Sequence, residues 1–156
     1  MSSLLAVDAG LRTGLALYGD DGRLRWYRSQ HFGSMDKLKR AVNGFLKEME
    51  DLKWLVIEGG GDILDIWVNI ARRRKLKIKV VTAEKWREKL MYIRERRSGV
   101  QAKQFADGLA RQVIVWSDAP KPTSLRHDTA EAILAGLWGV LEFKILKEVP
   151  EELHRR

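Results

Sequence analysis

The sequence predicts an α/β domain on a mixed five-stranded sheet, with three antiparallel N-terminal strands followed by parallel strands joined through helices. Apolar runs at residues 4–7 and 14–18, and the segment 24–28 with Trp26 and Tyr27, are separated by tight-turn signals. A fully apolar run at 54–57 and a further strand at 78–81 alternate with segments whose apolar residues recur at helical spacing. A length of 156 residues gives room for one domain with a real core, taken as residues 1–156 with a flexible tail over 148–156.

Each element has a local reason. The first run, Leu4-Leu5-Ala6-Val7, stops at Asp8-Ala9-Gly10, and the second is followed by Gly19-Asp20-Asp21-Gly22, whose glycines supply the positive φ of a hairpin loop. Ser34 is an N-cap, and Leu38, Val42, Phe45, Leu46 and Met49 continue from it as one helical face to about residue 50. Trp54-Leu55-Val56-Ile57 is apolar on both faces, as a covered central strand should be, and it ends at Glu58-Gly59-Gly60-Gly61. Asp62 is expected to cap the next helix, with Ile63, Ile66, Trp67 and Ile70 on one side. Residues 78–81 form the next strand. Helices follow over 82–92 and 100–113, separated by a charged linker at 94–99, and Ala119-Pro120-Lys121-Pro122 breaks the pattern before a last helix from near His127 to about Lys147.

Composition excludes several classes. Apolar types make up 45% of residues and charged types 32%, with 13 Gly and 3 Pro, which is the balance of a globular chain and not of a collagen-like, disordered or low-complexity one. The absence of cysteine excludes disulfides, thiolate metal sites and a Cys nucleophile. The longest uncharged apolar run, residues 132–141, is about half of what a membrane span needs, and Asp8 interrupts the first apolar stretch too early for a signal peptide. A cytoplasmic protein is expected.

The net charge of +8 is concentrated. Residues 71–97 hold twelve basic side chains, Arg72, Arg73, Arg74, Lys75, Lys77, Lys79, Lys85, Arg87, Lys89, Arg94, Arg96 and Arg97, against Glu84, Glu88 and Glu95. Their local net of +9 leaves −1 for the rest of the chain. Such a footprint suits a polyanion, most simply a nucleic-acid backbone, the alternative being a solvated basic face.

Acids sit where ligand sites of α/β sheets collect. Asp8 and Glu58 each end a four-residue apolar run, and the two strands are expected to be neighbours. On the last helix Asp128 and Glu131 are three apart and share a face, with Ala132 and Ala135 leaving room for close packing. Taken singly, Asp8 could be a turn residue, and Asp128 and Glu131 could serve the helix start. Together, four converging carboxylates repel one another unless a cation offsets them, and Mg²⁺ or Mn²⁺ takes oxygen ligands and bridges to phosphate oxygens. Two such ions would activate water and stabilise the leaving 3′ oxygen, cutting a phosphodiester.

The ordered set resembles the RuvC family of Holliday-junction resolvases within the RNase H-like (retroviral-integrase) superfamily. The resemblance rests on Ala6-Val7-Asp8-Ala9-Gly10-Leu11-Arg12-Thr13-Gly14-Leu15-Ala16, on Val56-Ile57-Glu58 and on His127-Asp128-Thr129-Ala130-Glu131-Ala132, with element order and length in agreement. It implies an RNase H-like fold and a metal-dependent endonuclease that resolves four-way DNA junctions by paired symmetric cuts. The family's four metal-binding acids fall on Asp8, Glu58, Asp128 and Glu131, the last standing where the family usually has Asp. His127 is a secondary ligand candidate, and Lys103 resembles a family lysine near the scissile phosphate, with Lys85 and Lys89 competing for that role.

The resemblance also implies a homodimer to match a two-fold substrate. Trp67, Ile66 and Ile70 are the expected interface, and the stretch containing Arg72, Arg73, Arg74, Lys75, Lys85, Lys89, Arg94, Arg96 and Arg97 is the expected DNA-facing surface. Relatives place a bulky wedge after the second acid, whereas this chain has Gly59-Gly60-Gly61; Trp67, Trp86 or Tyr92 could instead stack on bases, although Trp67 also fits a core position. The competing readings are a YqgF-like or RNase H-type nuclease acting on RNA or RNA:DNA hybrid, and a non-catalytic nucleic-acid-binding module of the same fold. An actin-like ATPase is excluded by length and by the lack of a second phosphate loop.

Overall fold

The computed structural model describes residues 1–153. The chain order is β1 (Ser3–Asp8), β2 (Arg12–Gly19), β3 (Leu24–His31), α1 (Met35–Glu48), β4 (Leu52–Glu58), α2 (Gly61–Arg73), β5 (Lys77–Val81), α3 (Ala83–Leu90), α4 (Gly99–Ser117) and α5 (His127–Glu142). The sheet order is β3-β2-β1-β4-β5. β1, β2 and β3 pair antiparallel, and β1, β4 and β5 pair parallel, as the sequence pattern predicts.

Strand alternation divides the core into two layers. Leu5, Val7, Leu15, Leu17, Leu55 and Ile57 face α1 and α2, meeting Leu38, Val42, Leu46, Trp67 and Ile70. Leu4, Ala6, Ala16, Tyr18 and Val56 face the other way, toward α3, α4 and α5. α5 is buried along nearly its whole length because glycines let its backbone lie on the sheet. A Cβ at Gly136 would come within 2.3 Å of the Tyr18 ring, and one at Gly139 within 2.4 Å of Val56 Cγ2. The Tyr18 hydroxyl donates to the Ile133 carbonyl, so the one polar atom of that buried ring is satisfied.

Side-chain caps start three helices, the first at Ser34 as expected. Ser34 Oγ accepts from Lys37 N, Thr82 Oγ1 from Lys85 N and Ser98 Oγ from Gln101 N. Several boundaries differ from expectation. α2 is capped by Gly60, not Asp62, which lies inside the first turn and favours the helix through its charge alone. α4 runs on to Ser117, where Asp118 adopts a left-handed conformation with φ of 55°. α5 stops at Glu142 and not near Lys147, because Lys144 turns left-handed with φ of 61° and the chain folds back to set Leu146 against Gly22. The charged linker contains a 3₁₀ turn at Ile93–Glu95, held by Tyr92 N donating to Glu95 Oε1 at 2.8 Å.

The expected subunit interface fails on packing. Trp67 and Ile70 are 1% and 4% exposed and belong to the core beneath α2, so they cannot meet a second copy, and Ile66 is itself half-buried against that core. Within the segment expected as a tail, Glu151–Leu153 form a 3₁₀ turn with Leu153 buried; residues 154–156 lie outside the described residues.

Candidate active site

One row across the sheet carries the site. Ser29 on β3 pairs with Gly14 on β2, Gly14 with Asp8 on β1, Asp8 with Glu58 on β4, and Glu58 with Val81 on β5. Asp8 and Glu58 share the face of Ala6 and Val56, looking toward α5, and neighbouring strands are only about 4.8 Å apart. The strand ends are tied together by Ala9 N donating to the Glu58 carbonyl at 2.8 Å. The first turn of α5 crosses directly over Gly14, where a Cβ would stand 2.0 Å from the Asp128 carbonyl oxygen. No other residue at Gly14 lets α5 come so close.

That crossing splits the two acids of α5. Glu131 reaches the Asp8–Glu58 side, and one carboxylate oxygen from each of Asp8, Glu58 and Glu131 lies within 4.8 Å of the others. Asp128 reaches the opposite side of Gly14. Its Oδ2 accepts from Ser29 Oγ at 2.7 Å and its Oδ1 from Thr129 N at 2.8 Å. The four acids expected to converge are therefore arranged as a cluster of three with Asp128 beside them.

Two members of the cluster are largely shielded from water. Glu58 and Glu131 are 6% and 8% exposed. Burial, followed by the hydrogen bond and charge of Glu131 and those of Asp8, pushes the Glu58 carboxyl up to about 10. Burial also raises Asp8 to about 6, with the charges of Glu131 and Asp128 adding to the rise and the Glu58 hydrogen bond and His127 opposing it. Without a cation, Glu58 and Asp8 both hold protons more tightly than free carboxyls do, Glu58 the more strongly.

Three groups hold the acids in place, and sequence reasoning did not assign these roles. The buried Trp86 indole N–H donates to Glu58 Oε1 at 2.7 Å, so Trp86 is a support beneath the site and cannot stack on bases. Arg87 Nη2 donates to Glu131 Oε1 at 3.4 Å, and His127 Nε2 lies 2.6 Å from the same oxygen. The signal for Arg87 was present in the spacing of Ala83, Trp86, Arg87 and Leu90, one face of α3 that turns toward α5. Lys85 and Lys89 are exposed, Lys89 pairing at 2.8 Å with Glu142 at the far end of α5 from the acids, and Lys103 is exposed on α4. Among the described residues, the long-chain cation bonded to the cluster is Arg87. Arg72, Arg73, Arg74 and Lys75 are exposed where α2 turns into β5, Lys75 in a left-handed conformation. Tyr92 is 54% exposed with the Arg94 guanidinium over its ring.

The donor set fits a hard divalent cation. It is all carboxylate oxygen, it draws on three separate elements, and the mutual repulsion that raises Asp8 and Glu58 is what a bound cation relieves.

No protein-family model and no curated protein sequence matches the chain. Solved structures do. RuvC of Thermus thermophilus in complex with a Holliday junction substrate superposes with a TM-score of 0.64 at 13% identity, covering 93% of this chain and 96% of that one. A second structure of Thermus thermophilus RuvC gives 0.63 at 12% identity over 92% and 96%. The fold is therefore of RuvC type, which agrees with the RNase H-like architecture expected from the sequence.

Proposed function

We propose that this chain is a divalent-metal-dependent endonuclease that hydrolyses phosphodiester bonds in branched DNA, with the four-way junction as its substrate. The observation that carries the reading is the convergence of Asp8, Glu58 and Glu131 at the carboxyl end of the sheet. The likeness to a RuvC seen with a Holliday junction supports the choice of substrate, and the basic stretch at 71–97 supplies the charge for a nucleic-acid backbone.

Asp8, Glu58 and Glu131 would hold Mg²⁺ or Mn²⁺, which would activate water and stabilise charge on the phosphate oxygens, through two ions as the family resemblance implies. For this, Glu58 must give up the proton it holds without metal. Trp86 keeps Glu58 Oε1 fixed while that happens, and His127 and Arg87 keep Glu131 oriented through its Oε1. Arg87 also stands where an incoming phosphate would meet a fixed guanidinium. Asp128, held by Ser29 across Gly14, adds negative charge that opposes ionisation of Asp8 without metal and would favour a bound cation. Two symmetric cuts require two copies, so the acting species is a homodimer, joined by a surface other than Trp67 and Ile70. The protein would act in the cytoplasm, in DNA recombination and repair.

One observation favours a second reading. Gly59, Gly60 and Gly61 present no side chain after Glu58, and built Cβ atoms at Gly60 and Gly61 meet nothing within 4 Å. A site with no wedge there suits a continuous duplex, as an RNase H-type enzyme acting on RNA:DNA hybrid would use. Cleavage of a labelled four-way junction, a linear duplex and a hybrid of one sequence separates the readings, with Mg²⁺, Mn²⁺ or EDTA and with Asp8→Asn. Paired nicks in the junction alone, lost with EDTA and with Asp8→Asn, are expected. Cutting of the hybrid alone transfers the site to the second reading, and binding without cutting contradicts both.

A further inference from the structure

A second pocket lies beside the acid cluster, on the far side of Arg87. Its volume is about 230 Å³, and Glu84, Arg87, Arg96, Arg97, Gly99 and Ala102 are among the residues that line it. That is smaller than the sites that enclose drug-sized ligands, and it suits a single phosphate group.

Its chemistry selects an anion. Three arginines face one carboxylate, Glu84, and Gly99 and Ala102 leave the α4 wall without bulk. The Nε atoms of Arg87 and Arg96 are both buried and have no hydrogen-bond partner. A donor without a partner is costly, and two of the arginines that line this pocket each carry one. Arg87 further ties the pocket to the acids, since its Nη2 is bonded to Glu131. The N-terminus of α4 opens on the same pocket through Ser98 and Gly99, and its helix dipole adds to the positive potential there.

We propose that this pocket is a phosphodiester-binding subsite, seating a backbone phosphate of the substrate strand next to the one that is cut, with Arg96 and Arg97 as its ligands and Arg87 shared between it and the acid cluster. The assignment rests on the nuclease reading. It makes the α3–α4 connection the part of the basic stretch that fixes the register of the strand over Asp8, Glu58 and Glu131, and leaves Arg72, Arg73, Arg74 and Lys75 to contribute general attraction.

The test uses the full chain. In metal-free wild type titrated with inorganic phosphate, the Nε–Hε resonances of Arg87 and Arg96 should shift along one saturating curve while that of Arg25 stays in place; no shift, or equal drift of all three, overturns the pocket. In the Asp8→Asn background, binding of a labelled junction is then followed against salt for Arg96→Gln, Arg97→Gln and the double variant. One phosphate contact carries a slope of about 0.9, so across a tenfold rise in salt the advantage of the parent over each variant should shrink about eightfold, with the double variant matching the singles. Unchanged slopes overturn the proposal. Wild type that shows the phosphate response but cuts no nucleic acid would sink the nuclease reading and leave an anion site; wild type that cuts normally with neither response would sink the subsite alone.

Discussion

Asp128 and Glu131 stand one turn apart on α5, and Gly14 lies under the space between them. On one side Glu131 joins Asp8 and Glu58 in a buried cluster whose carboxylates repel one another. On the other, Asp128 is held by Ser29 Oγ and Thr129 N, neutral donors that occupy its two oxygens. The same residue class on the same helix face thus serves two purposes, and the row of the sheet beneath decides which. A carboxylate above Asp8 and Glu58 needs a cation, whereas one above Ser29 already has its hydrogen bonds.

The contrast is broken most severely by moving the helix. Gly14→Ala places a methyl where the Asp128 carbonyl now lies, so α5 must lift; a loss of about 1–3 kcal/mol in denaturant unfolding is expected, with cleavage lost as Asp128 and Glu131 move together. Glu131→Gln should leave the fold intact and lower cleavage by about 10³-fold, whereas Asp128→Asn should lower it by about tenfold, steady-state rates on one junction substrate being the measure. Equal losses would erase the distinction. Trp86→Phe keeps the core filled but removes the bond to Glu58, and a drop of about 10- to 100-fold in Mn²⁺ affinity is expected by calorimetry.

A pH series sharpens the same comparison at smaller amplitude. Both Glu58 and Asp8 bind protons more tightly folded than unfolded, so the folded state carries the extra protons and stability falls as pH rises. For Asp8 the loss runs from about its ordinary 3.8 to about 6, and for Glu58 from 4.5 to about 10. The melting temperature in EDTA should therefore decline as pH rises through the neutral range, and Glu58→Gln should flatten most of that decline. Ser29→Ala, the mildest change, should cost about 1 kcal/mol and leave Mn²⁺ affinity within a few-fold.

Much of this was legible in the sequence. Asp8 and Glu58 are marked by four-residue apolar runs that end on an acid, and the β1–β4 register places both on one face. Glu131 is marked by helical spacing and by the small residues around it. The separate fate of Asp128 was not legible, because it depends on the β2–β3 register that sets Ser29 beside Gly14. Trp67, at helical spacing with Ile63 and Ile70, fits the core and was still open to reading as interface, since an apolar helix face carries no sign of what covers it. Trp86 was legible as an aromatic but not as a donor, because its role follows from where α3 packs against the sheet.

Calorimetric titration of Mn²⁺ into the metal-free protein near neutral pH tests the central claim most directly, run for wild type, Glu131→Gln and Asp128→Asn in two buffers of different ionisation enthalpy. The account predicts binding with release of a proton from Glu58 in wild type, retained in Asp128→Asn and lost in Glu131→Gln. Binding that survives Glu131→Gln, or that Asp128→Asn abolishes, would contradict it.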